Sequence, residues 1–247
     1  RSTLFPYTTL FRSADFAIGF SLNEGLVASR DEIVSLDIVA LDDGIELRMW
    51  LPDALAERLA ERRRNIAGPT GCGLCGVDSL DQVCRPQRLL APARGFHAAG
   101  VRRALGAIGA EQHLTRQTGA AHAAAWCAMD GSLRLVREDV GRHNAVDAIA
   151  GLMWLDGLAG ADKVFYTTGR LTSEMVIKGA QMGIPFLLSR SGTTQMGHMV
   201  AQKVGMSLLA RCTGRHFLLL AGQERLVFEP GLLEQPLPRG HEAELEG

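Results

Sequence analysis

Between residues 163 and 211 the hydrophobic period of the sequence alternates, and that alternation restricts the fold more than any other feature. Apolar runs suited to buried strands occupy 163–168, 184–189 and 206–211, and the stretches between them, 171–182 and 193–204, carry apolar residues at helical spacing. A strand-helix-strand-helix-strand order covers a sheet with helices and joins parallel strands by crossovers. The expected fold class is therefore α/β, layered around a largely parallel sheet. A further strand is expected over 215–220, after Thr213-Gly214. The chain has 247 residues, 47% of them hydrophobic, enough to close a sizeable core around such a sheet.

Upstream, the runs 33–41 and 45–51 flank Asp42-Asp43-Gly44, and the second sets Ile45, Leu47, Met49 and Leu51 against Glu46, Arg48 and Trp50. That is a β-hairpin signal, repeated where 123–129 and 133–137 bracket Asp130-Gly131. Helices are expected over 15–27, from Pro52-Asp53 to Arg62-Arg63-Arg64, over 96–110 with Val101, Leu105 and Ile108 on one face, and over 142–155 through Ala145, Ile149, Leu152 and Trp154. The opening does not read as natural protein: from Thr3 to Ser13 it resembles a translated sequencing-adapter oligonucleotide, so residues 1–13 are set apart as a scar. This implies that 14–66 is a small β-containing subdomain, truncated at its N-terminus. A glycine-rich loop at 67–84, an α/β domain at 85–229 and a loose, proline- and acid-containing tail at 230–247 complete the expected division.

A formal net charge of −1 gives no global pull toward nucleic acid or an anionic membrane. No apolar run approaches the roughly 20 residues that span a bilayer, and no secretory signal pattern is present. Five cysteines, an odd number in a mid-sized chain, fit a reducing cytoplasm with working thiols better than a disulfide scaffold.

Two stretches carry the chemistry. Gly71-Cys72-Gly73-Leu74-Cys75-Gly76 places two thiols on a glycine-framed arm, which suits a metal, a redox partner or a passenger sulfur. Structural zinc would need two more ligands from Cys84, Cys127, His97, His113 or His122, and none of these forms a second close pair. The zinc-deaminase signature is not met either, since His122 is followed by Ala123-Ala124 and the cysteine pair precedes it. Thioredoxin-like exchange normally places its pair at a helix start rather than within glycines. The second stretch, Arg137-Glu138-Asp139-Val140-Gly141-Arg142-His143-Asn144-Ala145-Val146-Asp147, packs seven hydrogen-bonding side chains into eleven residues at a strand-to-helix turn. A cap at Asp139 and an i, i+4 pair of His143 and Asp147 explain part of it; a site for a polar ligand explains the rest. Thr168-Gly169-Arg170 with Ser173, and Ser189-Arg190-Ser191-Gly192-Thr193-Thr194, fall at strand ends where glycine, hydroxyls, arginine and free helix N–H groups suit a phosphate.

These segments, with Thr118-Gly119-Ala120-Ala121-His122, Ser173-Glu174 and Gly214-Arg215 to Phe217, resemble the formate dehydrogenase accessory sulfurtransferases (FdhD) from about Asp15 to about Gly222. Thr167-Thr168 before Gly169, and the missing proline in Ser191-Gly192-Thr193-Thr194, depart from that pattern. The resemblance implies a cytidine deaminase-like α/β sandwich without its metal chemistry, forming a homodimer. It implies that a cysteine desulfurase gives sulfur to the C-x-x-C loop, with Cys72 carrying the persulfide and Cys75 assisting or resolving it. The sulfur then passes to the bis-molybdopterin guanine dinucleotide form of the molybdenum cofactor, before that enters formate dehydrogenase; a GDP-like nucleotide is expected to mimic this ligand. The expected cofactor-binding residues are Glu138, Asp139, Arg142, His143, Asn144, Asp147, Gly169, Arg170, Ser173, Arg211, Cys212, Thr213, Gly214, Arg215, His216 and Phe217. The competing readings are a delivery chaperone whose cysteines hold metal, and a thiol oxidoreductase.

Overall fold

The computed structural model describes residues 7–42, 44–55, 89–90, 95–213 and 216–228. In chain order these form α1 (Tyr7–Asn23), β1 (Ser35–Leu41), β2 (Gly44–Trp50), β3 (Phe96–His97), α2 (Ala98–Glu111), α3 (His113–Thr118), β4 (His122–Ala128), β5 (Leu133–Asp139), α4 (Arg142–Leu155), β6 (Lys163–Thr167), α5 (Ser173–Gln181), β7 (Phe186–Ser189), α6 (Gln195–Val204), β8 (Ser207–Ala210), β9 (Leu218–Ala221) and β10 (Leu226–Val227). The expected cysteine loop at 67–84 and the tail at 230–247 lie outside the described residues.

Strands β4 to β9 make one sheet in the order β5-β4-β6-β7-β8-β9. Only β6–β7 and β7–β8 are parallel; β5–β4, β4–β6 and β8–β9 are antiparallel, so the sheet is mixed rather than largely parallel. The helical crossovers α5 and α6 give the parallel pairs, and the hairpin at Asp130-Gly131 and the return from β8 to β9 give antiparallel ones. Alternation along each strand divides the interior into two layers. Trp126, Phe165, Leu187 and Leu208 face Ile149, Met153, Val176 and Ala201 of α4, α5 and α6. Ala125, Val164, Phe186, Leu188 and Leu209 face Val101, Ala104 and Ile108 of α2 on the opposite side. The expected helix over 96–110 thus presents its expected face, although Phe96 itself belongs to β3.

Helix α4 is buried almost all round, from Ala145 to Gly151 and again at Met153, because the sheet covers one side and α1 the other. The face expected from Leu152 and Trp154 is not the core face: Trp154 is exposed. Small residues let α1 approach until backbones touch. A β-carbon on Gly19 would lie 1.8 Å from the Asp147 carbonyl oxygen, and one on Gly151 would lie 1.8 Å from that of Asp15. Neither helix could carry a side chain there. Helix α1 starts at Tyr7, ahead of the expected 15–27, and so includes the last residues of the stretch that resembles an adapter. The hairpin β1–β2 forms as expected, and the small cluster Ile18, Leu22, Val27 and Leu55 takes in Leu36 of β1.

Candidate ligand site at the strand ends

The sheet topology gathers the C-terminal ends of β5, β6, β7 and β8 and the N-terminal end of β4 along one edge. His122 pairs with Asp139, Ala124 with Thr167, and Thr167 with Ser189. The loops that leave these strands are fastened to one another by backbone hydrogen bonds. Arg190 N–H donates to the Thr167 carbonyl at 3.2 Å, Leu171 N–H to Gly192 at 3.0 Å, Arg211 N–H to Ser191 at 2.8 Å and Cys212 N–H to Ser189 at 2.8 Å. Hydroxyls add further ties: Ser189 Oγ donates to the Gly169 carbonyl at 2.6 Å and accepts from Ser191 N–H at 2.8 Å. Thr193 Oγ1 donates to the Leu171 carbonyl, and Thr194 caps α6 by accepting from Gly197 N–H. The result is a ledge whose backbone is held before any ligand arrives.

Arginines line this ledge. Arg170, Arg190 and Arg211 are exposed, and the stem of Arg142 lies over Gly169, where a β-carbon would meet its Cδ at 2.8 Å. Arg211 sits in the left-handed region with φ 49°, a conformation that costs a residue with a β-carbon roughly 1–2 kcal/mol and is held here by its bond to Ser191. His122 accepts or shares a hydrogen bond with Thr168 Oγ1 at 3.1 Å. Burial, and then the neighbouring Arg142 and His143, push its pKa below the ordinary histidine value, which favours the neutral imidazole. Chemically, the ledge is suited to holding a polyanion such as a diphosphate.

The expected site residues divide into groups. Arg142, Gly169, Arg170, Arg211 and Thr213 meet at the ledge, and Ser173 begins α5 behind it, 4% exposed. Thr213 N–H donates to the His216 carbonyl at 2.9 Å, and Phe217 stacks on Phe228. Asp139 accepts from Gly141 N–H at 2.7 Å and Asn144 Nδ2 at 3.1 Å, so it shapes the entry to α4. Glu138 accepts from Leu114 N–H, Thr115 N–H and Thr115 Oγ1 and serves the start of α3. Burial opposes its ionisation, but those three bonds outweigh it and hold the carboxyl below the ordinary range. Glu138, Asp139 and Asn144 also line an open cleft of about 1330 Å³ beside the edge strand β5.

Two expected contacts are not at the ligand-facing surface. Asp147 is 1% exposed and engaged inside the helix layer, and Cys212 is 1% exposed within the layer under α2. Burial pushes the thiols of Cys127 and Cys212 up to about 12, which leaves them protonated and unreactive. Cys72, Cys75, Gly214 and Arg215 lie outside the described residues. Among the described residues no group of three or more His, Cys, Asp or Glu could hold a metal ion, and no helix is long and apolar enough to cross a membrane.

The profile of the FdhD/NarQ family matches residues 5–227. The chain belongs to the FdhD/NarQ family. The sulfur carrier protein FdhD of Chromobacterium violaceum is 38% identical over 205 residues, covering 82% of this chain and 76% of that protein. That of Agrobacterium fabrum is 37% identical over 214 residues, 86% of this chain and 79% of that protein. A crystal structure from Desulfotalea psychrophila, described as a formate dehydrogenase accessory protein, superposes with a TM-score of 0.66 at 26% identity. The match covers 87% of this chain and 80% of that one.

In this FdhD/NarQ chain the structure brings further residues to the expected set. His122 sits at the ledge beside Thr168, and Glu174 and Lys178 face α4 from α5. His143 Nε2 lies 3.0 Å from Glu174 Oε2, in contact but without the alignment of a hydrogen bond. Lys178 Nζ donates to Asp147 Oδ1 at 2.9 Å and to Glu24 Oε1 at 3.0 Å, and Asn23 Nδ2 donates to Asp147 Oδ1 at 2.7 Å. Burial alone would pull the Lys178 pKa down; Asp147, Glu24 and Glu174 outweigh it and hold the ammonium charged. The signal for this network was the matching spacing of four in His143/Asp147 and Glu174/Lys178.

Proposed function

We propose that the chain is a sulfurtransferase that carries sulfur from a cysteine desulfurase to the bis-molybdopterin guanine dinucleotide form of the molybdenum cofactor, for use by formate dehydrogenase. The Cys72 thiolate attacks the terminal sulfur of the desulfurase persulfide; a new S–S bond forms on Cys72, and the desulfurase cysteine leaves as a thiolate. Attack of the Cys75 thiolate on the inner sulfur then releases the passenger as sulfide and leaves a Cys72–Cys75 disulfide, so electrons balance without an outside reductant at that step. The observation that carries this reading is the ledge: Arg142, Arg170, Arg190 and Arg211 lie along loops already fastened together, as a pyrophosphate-containing substrate requires. The named relatives, sulfur carriers at 37–38% identity, support the sulfur half of it. His143 and the residues around it orient the cofactor, and the protein acts as a cytoplasmic homodimer.

Intact mass after incubation with a cysteine desulfurase and cysteine tests the reading. The expected result is a gain of one sulfur atom, reversed by reductant and absent from Cys72→Ala. Bound zinc without a sulfur adduct would replace it with the metal-holding delivery chaperone, and disulfide turnover without an adduct with a thiol oxidoreductase. Sedimentation as a monomer would remove the homodimer.

A further inference from the structure

Helices α4 and α5 face each other through four ionisable side chains at equal spacing. His143 and Asp147 are four residues apart on α4; Glu174 and Lys178 are four apart on α5. They meet as two rungs, His143 with Glu174 at 3.0 Å and Asp147 with Lys178 at 2.9 Å. The side chains of Asp147 and Lys178 are each 2% exposed, and those of His143 and Glu174 are 11% and 17% exposed. Asn23 and Glu24, at the end of α1, complete the deep rung. The pairing favours one register: sliding α5 by one turn, about 5.4 Å, would take Lys178 away from Asp147 in either direction, and in one direction would set the carboxylates of Asp147 and Glu174 against each other in a layer with little water. A buried ion pair is weak evidence for stability, because desolvation consumes most of its attraction; fixing register is its best-attested use.

We propose that Glu174, Asp147 and Lys178 are positioning residues that set the relative height of α4 and α5, and with it the placement of Arg142 and Ser173 at the ledge. The inference rests on the reading of the ledge as the nucleotide-cofactor site. It assigns Asp147, at the end of the polar run, to alignment rather than to ligand contact. Groups facing the rungs include His122 and Arg142 beside His143, and Glu24 beside Lys178.

The test uses the full chain carrying Glu174→Gln, an isosteric change at the shallower rung, and separately Lys178→Met, with Ile108→Ala under α2 as a control for general destabilisation. Both rung variants are expected to speed amide hydrogen exchange at 142–145 and 173–176 roughly tenfold while leaving 163–167 in the sheet unchanged. GDP affinity by calorimetry is expected to fall roughly tenfold in both, with sulfur loading of Cys72 unaltered. Ile108→Ala is expected to lower the melting temperature without the local exchange change. If Lys178→Met does not fold, Glu174→Gln decides alone. Wild-type exchange at both helix starts, or wild-type GDP affinity in a folded rung variant, would overturn the proposal. Failure of the wild-type protein to bind GDP would instead sink the reading of the ledge, and the exchange measurement would still judge the rungs.

Discussion

On one face of the sheet, α2 presses Val101, Ala104 and Ile108 onto Ala125, Val164, Phe186 and Leu188, while on the other α4 and α5 carry His143, Asp147, Glu174 and Lys178 into the layer. The ionisable members of the first face, Cys127, Tyr166 and Cys212, are pushed up by burial to about 12 and stay neutral. An apolar interface can slip or repack at modest cost, whereas a layer with paired charges has one satisfactory alignment. The charged layer is also the one whose helix starts reach the ledge. The difference is one of position: apolar packing stabilises both faces, and the paired charges of the second face add an alignment that the first lacks.

Substitutions can test that difference, and the largest effect is expected at the seam behind α4. Gly151→Val would drive side-chain atoms into the Asp15 carbonyl, and a loss of about 4 kcal/mol in urea unfolding is expected, with exchange protection of α1 lost first. On the dry face, Ile108→Ala should cost about 3 kcal/mol by the same measurement, yet leave the GDP affinity of the folded protein unchanged. A comparable fall in affinity would show that the two faces are not separate.

The smallest effect is expected from Glu138→Gln, about 1 kcal/mol after allowing for its solvent exposure. Because the folded-state pKa of Glu138 is depressed, its contribution is complete above the ordinary glutamate value and is lost as pH falls through the lower folded value. Wild-type and variant stabilities should therefore converge in acid. A constant difference down to the lowest accessible pH would mean that the neutral carboxyl caps α3 equally well.

The order of elements from β6 to β8 was legible because each strand is a short apolar run and each intervening helix keeps its own period. Strand sense was not legible for β4 and β9, since it depends on which neighbour a strand joins. At the site, glycine, hydroxyl and arginine after each parallel strand pointed to the ledge. The polar run misled in part: Asp147 and Glu138 are residue types that ligand sites use, but here they face Lys178 and the start of α3. Cys212 fell in a segment assigned by resemblance, and just past the end of β8 its side chain is buried in the apolar layer under α2. Glu174 and Lys178 were missed as a pair because their partners lie more than thirty residues away, and only folding brings the matched spacings together.

Where Gly19 crosses Gly151, no side chain stands between the two backbones to act as a spacer or a spring. Asp15 is clasped by Arg137 near one end of this crossing, at 2.9 Å, and Asn23 by Asp147 near the other. Such a joint has little slack: a small tilt of α1 would strain both clasps at once, and with them the seat of Asn23 and Glu24 on the deep rung that α4 and α5 share.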